Sequence, residues 1–325
     1  GVYFSIQKYR ESGKKYGQLL ELDTKNTSSA RINNDEYDKE SVHDFALWKV
    51  TKPGEPAWEF TLDGKDLLGR PGWHIECSVM STNNLGMPFD IHTGGIDLIF
   101  PHHENEIAQS TAGGGETYAK YFVHNEHLLV DGKKMSKSLS NFFTLRDIQE
   151  RGYDPLDFRL MMLQAHYRSQ TNFTWDNLDA AHNRLQAYRA MADQRFQLHK
   201  EGKVKPTDIE QTKESITQAL LSDLNTPLAL KHLSEIESSI DSGGINTTCQ
   251  DAYTNFLEWL DQTLGLNLSS RDDITEAQKK LLDERQHARN NKAWQTADSL
   301  RNDLRLQGIE VLDTELGQVW KYLDS

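Results

Sequence analysis

The residues best equipped for chemistry stand in the run Phe100-Pro101-His102-His103-Glu104-Asn105-Glu106, with Cys77 upstream of it. On a helix, His102 and Glu106 at i, i+4 share one face, and a thiolate arriving from a neighbouring strand would complete a mixed N, O and S pocket suited to zinc. That supplies three donors where tetrahedral zinc takes four, so the last position falls to water, to substrate or to a residue outside the chain. A second group is Lys134-Met135-Ser136-Lys137-Ser138, preceded by Asp131-Gly132-Lys133. Lysines among small hydroxyl residues, behind a Gly turn, can fold around a polyphosphate and neutralise charge growing on a leaving group. A basic surface loop has the same composition.

Positioning these groups falls to short elements. Trp73-His74-Ile75, Phe89-Asp90-Ile91-His92 and Tyr121-Phe122-Val123-His124 each read as a strand or strand end, and Glu104 to Thr111 reads as a helix. The zone 70–150 thus alternates in the α/β manner, with ligand groups gathered where strands end. Before it, residues 1–69 combine a β-like start, Val2 to Ile6, with a polar stretch from Asp23 to Asp44 that reads as a solvent-facing connector.

From Thr144 onward the pattern is helical. Thr144 with Asp147, and Asp154-Pro155, are helix starts, and a longer helix opens near Thr174 with Leu178, Ala181, Leu185 and Tyr188 on one face. Gln194 to Thr212 reads as a loop, followed by helices at Ser215 to Asp223, Thr226 to Ile240 and Gln250 to Leu264, a bundle over 151–270. In 271–325, Glu276 to Leu306 reads as one helix or two. Gly308 is a left-handed cap there, and Ile309 to Leu312 with Gln318 to Tyr322 forms a hairpin.

A chain of 325 residues, 37% hydrophobic, buries a sizeable core. No apolar run reaches the roughly 18 residues of a membrane helix, and no secretory leader opens the chain. Cys77 and Cys249 lie far apart without disulfide-like spacing, which points to a reducing compartment, the cytoplasm. The net charge of −13 excludes nonspecific nucleic-acid binding over the whole surface, leaving room for a local basic patch. The start at Gly1-Val2-Tyr3-Phe4, without an initiator Met, reads as that expected of a fragment.

Lys134 to Ser138 matches the KMSKS signature of class I aminoacyl-tRNA synthetases. Gly72 to Ser78, Asp90 to Leu98 and Phe100 to Ser110 resemble cysteinyl-tRNA synthetases, and the similarity continues through Asp44 to Lys49, His166 to Ser169 and the C-terminal module. The resemblance implies an α/β Rossmann-type class I synthetase catalytic domain (second half only), followed by an α-helical bundle that contacts tRNA and a small α+β anticodon-binding domain. The chain holds no HIGH tetrapeptide, and Cys249 stands in the wrong region to be a fourth ligand. By the resemblance, an N-terminal part carrying both is absent.

The site residues follow from the same resemblance. Cys77, His102 and Glu106 would hold one zinc ion, with His103 pointing elsewhere. Trp73 and His92 would line the amino-acid pocket, and Gly94, Gly95 and Asp97 the nucleotide loop. Lys137, supported by Lys134, would contact ATP. Arg289, Trp294, Asp298 and Asp313 would read the anticodon within a basic patch of Arg285, Arg289, Lys292, Arg301 and Arg305. The implied partners are Mg2+-bound ATP, L-cysteine and tRNA(Cys), with the chain a monomer. The implied reaction forms cysteinyl-adenylate and passes the cysteinyl group to tRNA, zinc selecting the substrate thiolate. Two alternatives are a cysteine ligase acting on an aminosugar, which would lack an anticodon module, and a catalytically incomplete tRNA-binding fragment.

Overall fold

Residues 1–19, 44–115, 117–135 and 141–323 are described by the computed structural model, and two units follow one another along the chain, Gly1–His127 and Leu128–Ser325. The first unit opens with β1 (Val2–Phe4), α1 (Ile6–Glu11), β2 (Phe45–Val50), β3 (Trp58–Leu62) and β4 (Lys65–Pro71), whose strands form an antiparallel sheet in the order β1-β2-β4-β3. Asp63 and Gly64, both at positive φ, make the tight two-residue turn between β3 and β4. The expected boundary after residue 69 falls inside β4, which pairs with strands on both sides. Most of the expected connector lies outside the described residues; at its end, the Asp44 carboxylate accepts from Ile6 N at 2.9 Å and fixes the start of α1.

The rest of this unit is α2 (Trp73–Leu85), β5 (Phe89–Gly95), α3 (Glu104–Ala112) and β6 (Ala119–Asn125). β5 and β6 run parallel, from Phe89 opposite Ala119 to Gly95 opposite Asn125, so α3 is the crossover of a β–α–β unit. Trp73-His74-Ile75 is not a strand: it is the first turn of α2, entered through extended Gly72. The buried positions of α2 are His74 and Ser78, so its inward face is polar and carries no apolar stripe for a periodicity reading to find.

The second unit starts with β7 (Leu128–Val130) and β8 (Lys133–Lys134), then α4 (Leu145–Glu150), α5 (Pro155–Leu163), β9 (Thr171–Phe173) and α6 (Trp175–Asp193). β7 lies between β8 and β9, antiparallel to the first and parallel to the second, which ties the lysine-bearing hairpin to the helices that follow it. Thr144 and Asp154 cap α4 and α5 through reciprocal bonds with Asp147 and Asp157. α7 (Pro206–Leu221), α8 (Thr226–Gly243) and α9 (Gln250–Leu264) complete the bundle.

α7 begins well before the expected Ser215. Pro206 occupies its first turn, where no N–H partner is needed, and Asp208 accepts from Lys205 N at 2.8 Å. α10 (Glu276–Asn290) and α11 (Trp294–Leu306) are separate helices, broken where Lys292 takes φ +57°, and β10 (Ile309–Thr314) pairs with β11 (Gly317–Tyr322) as a hairpin. Among the described residues no helix is long and apolar enough to cross a membrane.

Leu185, Ile209, Ile216, Leu233, Leu257 and Leu260 are fully buried in the bundle core. Leu185→Ala is expected to destabilise by about 2–5 kcal/mol in denaturant unfolding. Leu221→Ala, at a residue 74% exposed, should shift stability by no more than about 0.5 kcal/mol.

Candidate functional site

α3 begins with three buried polar residues, each with a partner. The Glu104 carboxylate accepts from Gly17 N and Leu19 N, and Asn105 Oδ1 accepts from Tyr16 OH at 2.6 Å. Glu106, fully buried, points the other way, toward α2 and β5. One of its oxygens, Oε2, is bound by His92 Nε2 at 2.6 Å and by Tyr118 OH at 3.3 Å. The other, Oε1, lies 2.6 Å from His102 Nε2 yet has no hydrogen-bond partner. Side by side without hydrogen-bond alignment, the two atoms are of types that could share a metal centre. Cys77 supplies that centre's third neighbour, and a sulfur, a nitrogen and an oxygen from Cys77, His102 and Glu106 lie within 4.8 Å of one another.

The thiol comes from a helix, α2, and not from a strand as the spacing suggested. Gln109 fixes α2 against α3 by donating to His74 O at 2.7 Å and to Ser78 Oγ at 2.5 Å. Ser81 donates to the Cys77 carbonyl at 2.7 Å and shares a 2.6 Å bond with Tyr118 OH, so the backbone under Cys77 is tied to the residue that touches Glu106.

Burial pushes the Glu106 carboxyl up, but the close imidazoles of His102 and His92 outweigh it and hold the group down at about 2. Burial, joined by the charge of Glu106, raises Cys77 to about 11. A neutral thiol beside a carboxylate is what these surroundings favour without a cation. A divalent ion facing all three donors would reverse the balance by stabilising the thiolate, and it would give the orphaned Glu106 oxygen its partner. The donor set of thiolate, imidazole and carboxylate suits zinc.

His103 stands in a separate grouping from Cys77 and His102. It forms a second cluster with His92 and Glu106, its ring 4.4 Å from that of His92 and its Nδ1 2.7 Å from His124 Nε2. Gly94 makes room for it, since a Cβ there would sit 2.8 Å from His103 Cε1. Trp73, 58% exposed, lies with its ring 5.7 Å from His102. Gly95 closes β5, and the exposed Asp97 folds its carboxylate back over it.

In the second unit, Lys134 ends β8, behind a turn in which Asp131 and Gly132 take φ of +49° and +71°. Lys137 lies outside the described residues. Trp294 and Asp298 are exposed one turn apart on α11, and the Arg289 guanidinium lies 5.8 Å from the Trp294 ring. Arg289 reaches Asp313 at 3.0 Å. Arg285, expected in a surface patch, is 2% exposed and grips Asp313 from beneath.

Residues 1–183 match the family model for the tRNA synthetases class I (C) catalytic domain, and residues 271–320 match that for the cysteinyl-tRNA ligase anticodon binding domain. The cysteine–tRNA ligase of Leptospira interrogans serogroup Icterohaemorrhagiae serovar copenhageni is 40% identical over 335 residues, covering 98% of this chain and 69% of the relative. The chain belongs to the cysteine–tRNA ligase family. The cysteine–tRNA ligase of Chlamydia trachomatis serovar A is 42% identical over 349 residues, covering 99% of this chain and 70% of the relative. Among solved structures, a LeuRS–tRNA–LeuAMS ternary complex from Agrobacterium radiobacter K84 matches at a TM-score of 0.49 and 14% identity over 67% of this chain and 34% of that one, too little to bear on the fold.

Of the histidines gathered here, His92 and His102 were expected in the site, and His74, His103 and His124 were given no role there. His74 Nδ1 lies 2.9 Å from His102 Nδ1, and His103 and His124 extend the cluster. The recurrence of His at 74, 92, 102, 103 and 124, each within or beside a short strand or a helix start, was the available signal.

Burial lowers His74 and His103 from 6.5 to about 4, so the folded protein keeps them neutral where the unfolded chain takes up protons. In the presence of a chelator, stability is therefore expected to fall as pH drops from 6.5 to 4. The Glu106 contribution follows, present above 4.5 and lost toward 2. Urea unfolding midpoints across that range check this, with a shallower slope expected for His74→Asn.

Proposed function

We propose that this chain selects cysteine, contacts ATP and reads tRNA in the ATP-dependent charging of tRNA(Cys) with cysteine. The observation that supports this best is that ligand atoms of Cys77, His102 and Glu106 lie within 4.8 Å of one another, beside a Glu106 oxygen left without a hydrogen bond. These three residues would hold zinc. Bound there, the ion supplies a soft Lewis-acid position that favours a substrate thiol over a serine hydroxyl. A site that discriminates through such a bond needs no editing step.

On this reading Cys77, His102 and Glu106 fix the substrate side chain, while Trp73 and His92 wall the amino-acid pocket. Gly94, Gly95 and Asp97, at the end of β5, face the nucleotide, with Asp97 accepting from a ribose hydroxyl. The cysteine carboxylate attacks the α-phosphate of ATP, which brings its own Mg2+. Lys134 and Lys137 balance charge growing on the phosphates as pyrophosphate leaves. A terminal hydroxyl of tRNA then takes the cysteinyl group from the adenylate.

The β5–α3–β6 unit is, on this view, the second half of a Rossmann-type catalytic domain over 70–150. The bundle over 151–270 meets the tRNA, and 271–325 reads the anticodon through Arg289, Trp294, Asp298 and Asp313. Exposed aromatic and guanidinium planes beside carboxylates suit unstacked bases. The match to an anticodon binding domain argues against an aminosugar acceptor.

Metal-free protein is expected to take up one Zn2+ per chain. Cys77→Ser should weaken that binding by more than the roughly 10–100-fold seen when an outer partner of a ligand is lost. With Co2+ as a probe, the sulfur-to-metal absorption should intensify on adding L-cysteine and stay unchanged with L-serine. An equal response to both would refute cysteine selection at this site.

A further inference from the structure

Among the described residues Arg285 is the one arginine or lysine that is buried, at 2% exposure. Its guanidinium donates from Nη1 to Asp313 Oδ1 at 3.0 Å and from Nη2 to Asp313 Oδ2 at 2.9 Å, a two-pronged grip on the carboxylate. Nη1 also donates to Gln318 Oε1 at 2.8 Å, and Gln318 Nε2 in turn donates to Leu282 O at 2.6 Å. Asp313 and Gln318 stand directly opposite each other across β10 and β11. One side chain from α10 therefore holds both strands of the hairpin beside its turn.

The arrangement is a poor way to gain stability. Arg285 Nε is buried without a partner, and an ion pair taken out of water returns little beyond its desolvation penalty. What it does supply is orientation. Asp313 keeps an exposed side, 36% of its side chain, and its Oδ2 also receives Arg289 at 3.0 Å. Arg289, four residues after Arg285, then reaches the exposed Trp294 ring. A continuous path runs from the buried Arg285 through Asp313 and Arg289 to the face where a base would stack.

We propose that Arg285 is a positioning residue for base discrimination: it fixes the plane of the Asp313 carboxylate so that its exposed face accepts from one base and Arg289 stays beside Trp294. Lysine cannot replace it, because a single ammonium has no fork to set that plane. The inference rests on the anticodon-reading proposal above, and the test separates the two.

The probes are a fluorescently labelled anticodon stem-loop of tRNA(Cys) and the same RNA with one anticodon base changed, titrated with the full chain and followed by anisotropy. The native protein should prefer the first. In Arg285→Lys that preference should shrink about tenfold, the scale of one charge-assisted hydrogen bond. Leu304→Ala, fully buried in the same module, should lower the melting temperature and leave the preference intact. If Arg285→Lys does not melt cooperatively, Gln318→Met decides, since it removes the second anchor of the Arg285 fork and should shrink the preference too. An unchanged preference in a folded Arg285→Lys, or in Gln318→Met, overturns the role of Arg285. No preference in the native protein overturns the anticodon reading beneath it.

Discussion

The first unit is organised around the two oxygens of Glu106. A buried carboxylate is tolerated only where its charge is met, and here the two halves are met differently. Oε2 is held by His92 and Tyr118, so the group is fixed in place. Oε1 is left facing His102 and Cys77 without an aligned donor. The β5–α3–β6 crossover brings His92 and Glu106 together, α2 carries Cys77 against them, and Gln109 locks the two helices at the spacing this requires. Losing the His92 contact would leave a buried negative charge poorly met.

The two units hold themselves together in contrasting ways. Around Glu106 the interior is rich in histidines, whose rings pack like small aromatics while their nitrogens pair His74 with His102 and His103 with His124. That interior is sensitive to protonation, since burial keeps His74 and His103 neutral well below their ordinary range. The bundle core in the second unit is mainly apolar, formed by residues such as Leu185, Leu233 and Leu257, with Asp193 and Glu237 buried beside it and paired with arginines. Beyond it, in the last module, a single buried arginine ties helix to hairpin. Polar interiors appear where position has to be set, and apolar ones where only mass has to be buried.

Much of this was legible in the sequence because the signals were local. The caps at Thr144 and Asp154, the amphipathic stripe of α6 and the hairpin after Gly308 all follow from short-range rules. What escaped depends on tertiary contacts. α2 has a polar buried face, so its helical period is invisible to hydropathy. Where His103 goes could not be read from its neighbours in sequence: the turn before α3 sends it toward β5, where Gly94 leaves space. Arg285 looked like one more surface cation; only the fold shows Asp313 and Gln318 beneath it. The Lys134 to Ser138 motif was plain in sequence, but Lys137 lies outside the described residues.

The central claim is that Cys77, His102 and Glu106 share one zinc ion. X-ray absorption at the zinc edge, on protein loaded with one equivalent, tests it most directly. The expected shell has sulfur at about 2.3 Å and lighter N/O donors at about 2.0–2.2 Å, with the Cys77 share of the sulfur signal lost in Cys77→Ser. An identical shell in the native protein and in Cys77→Ser would contradict it.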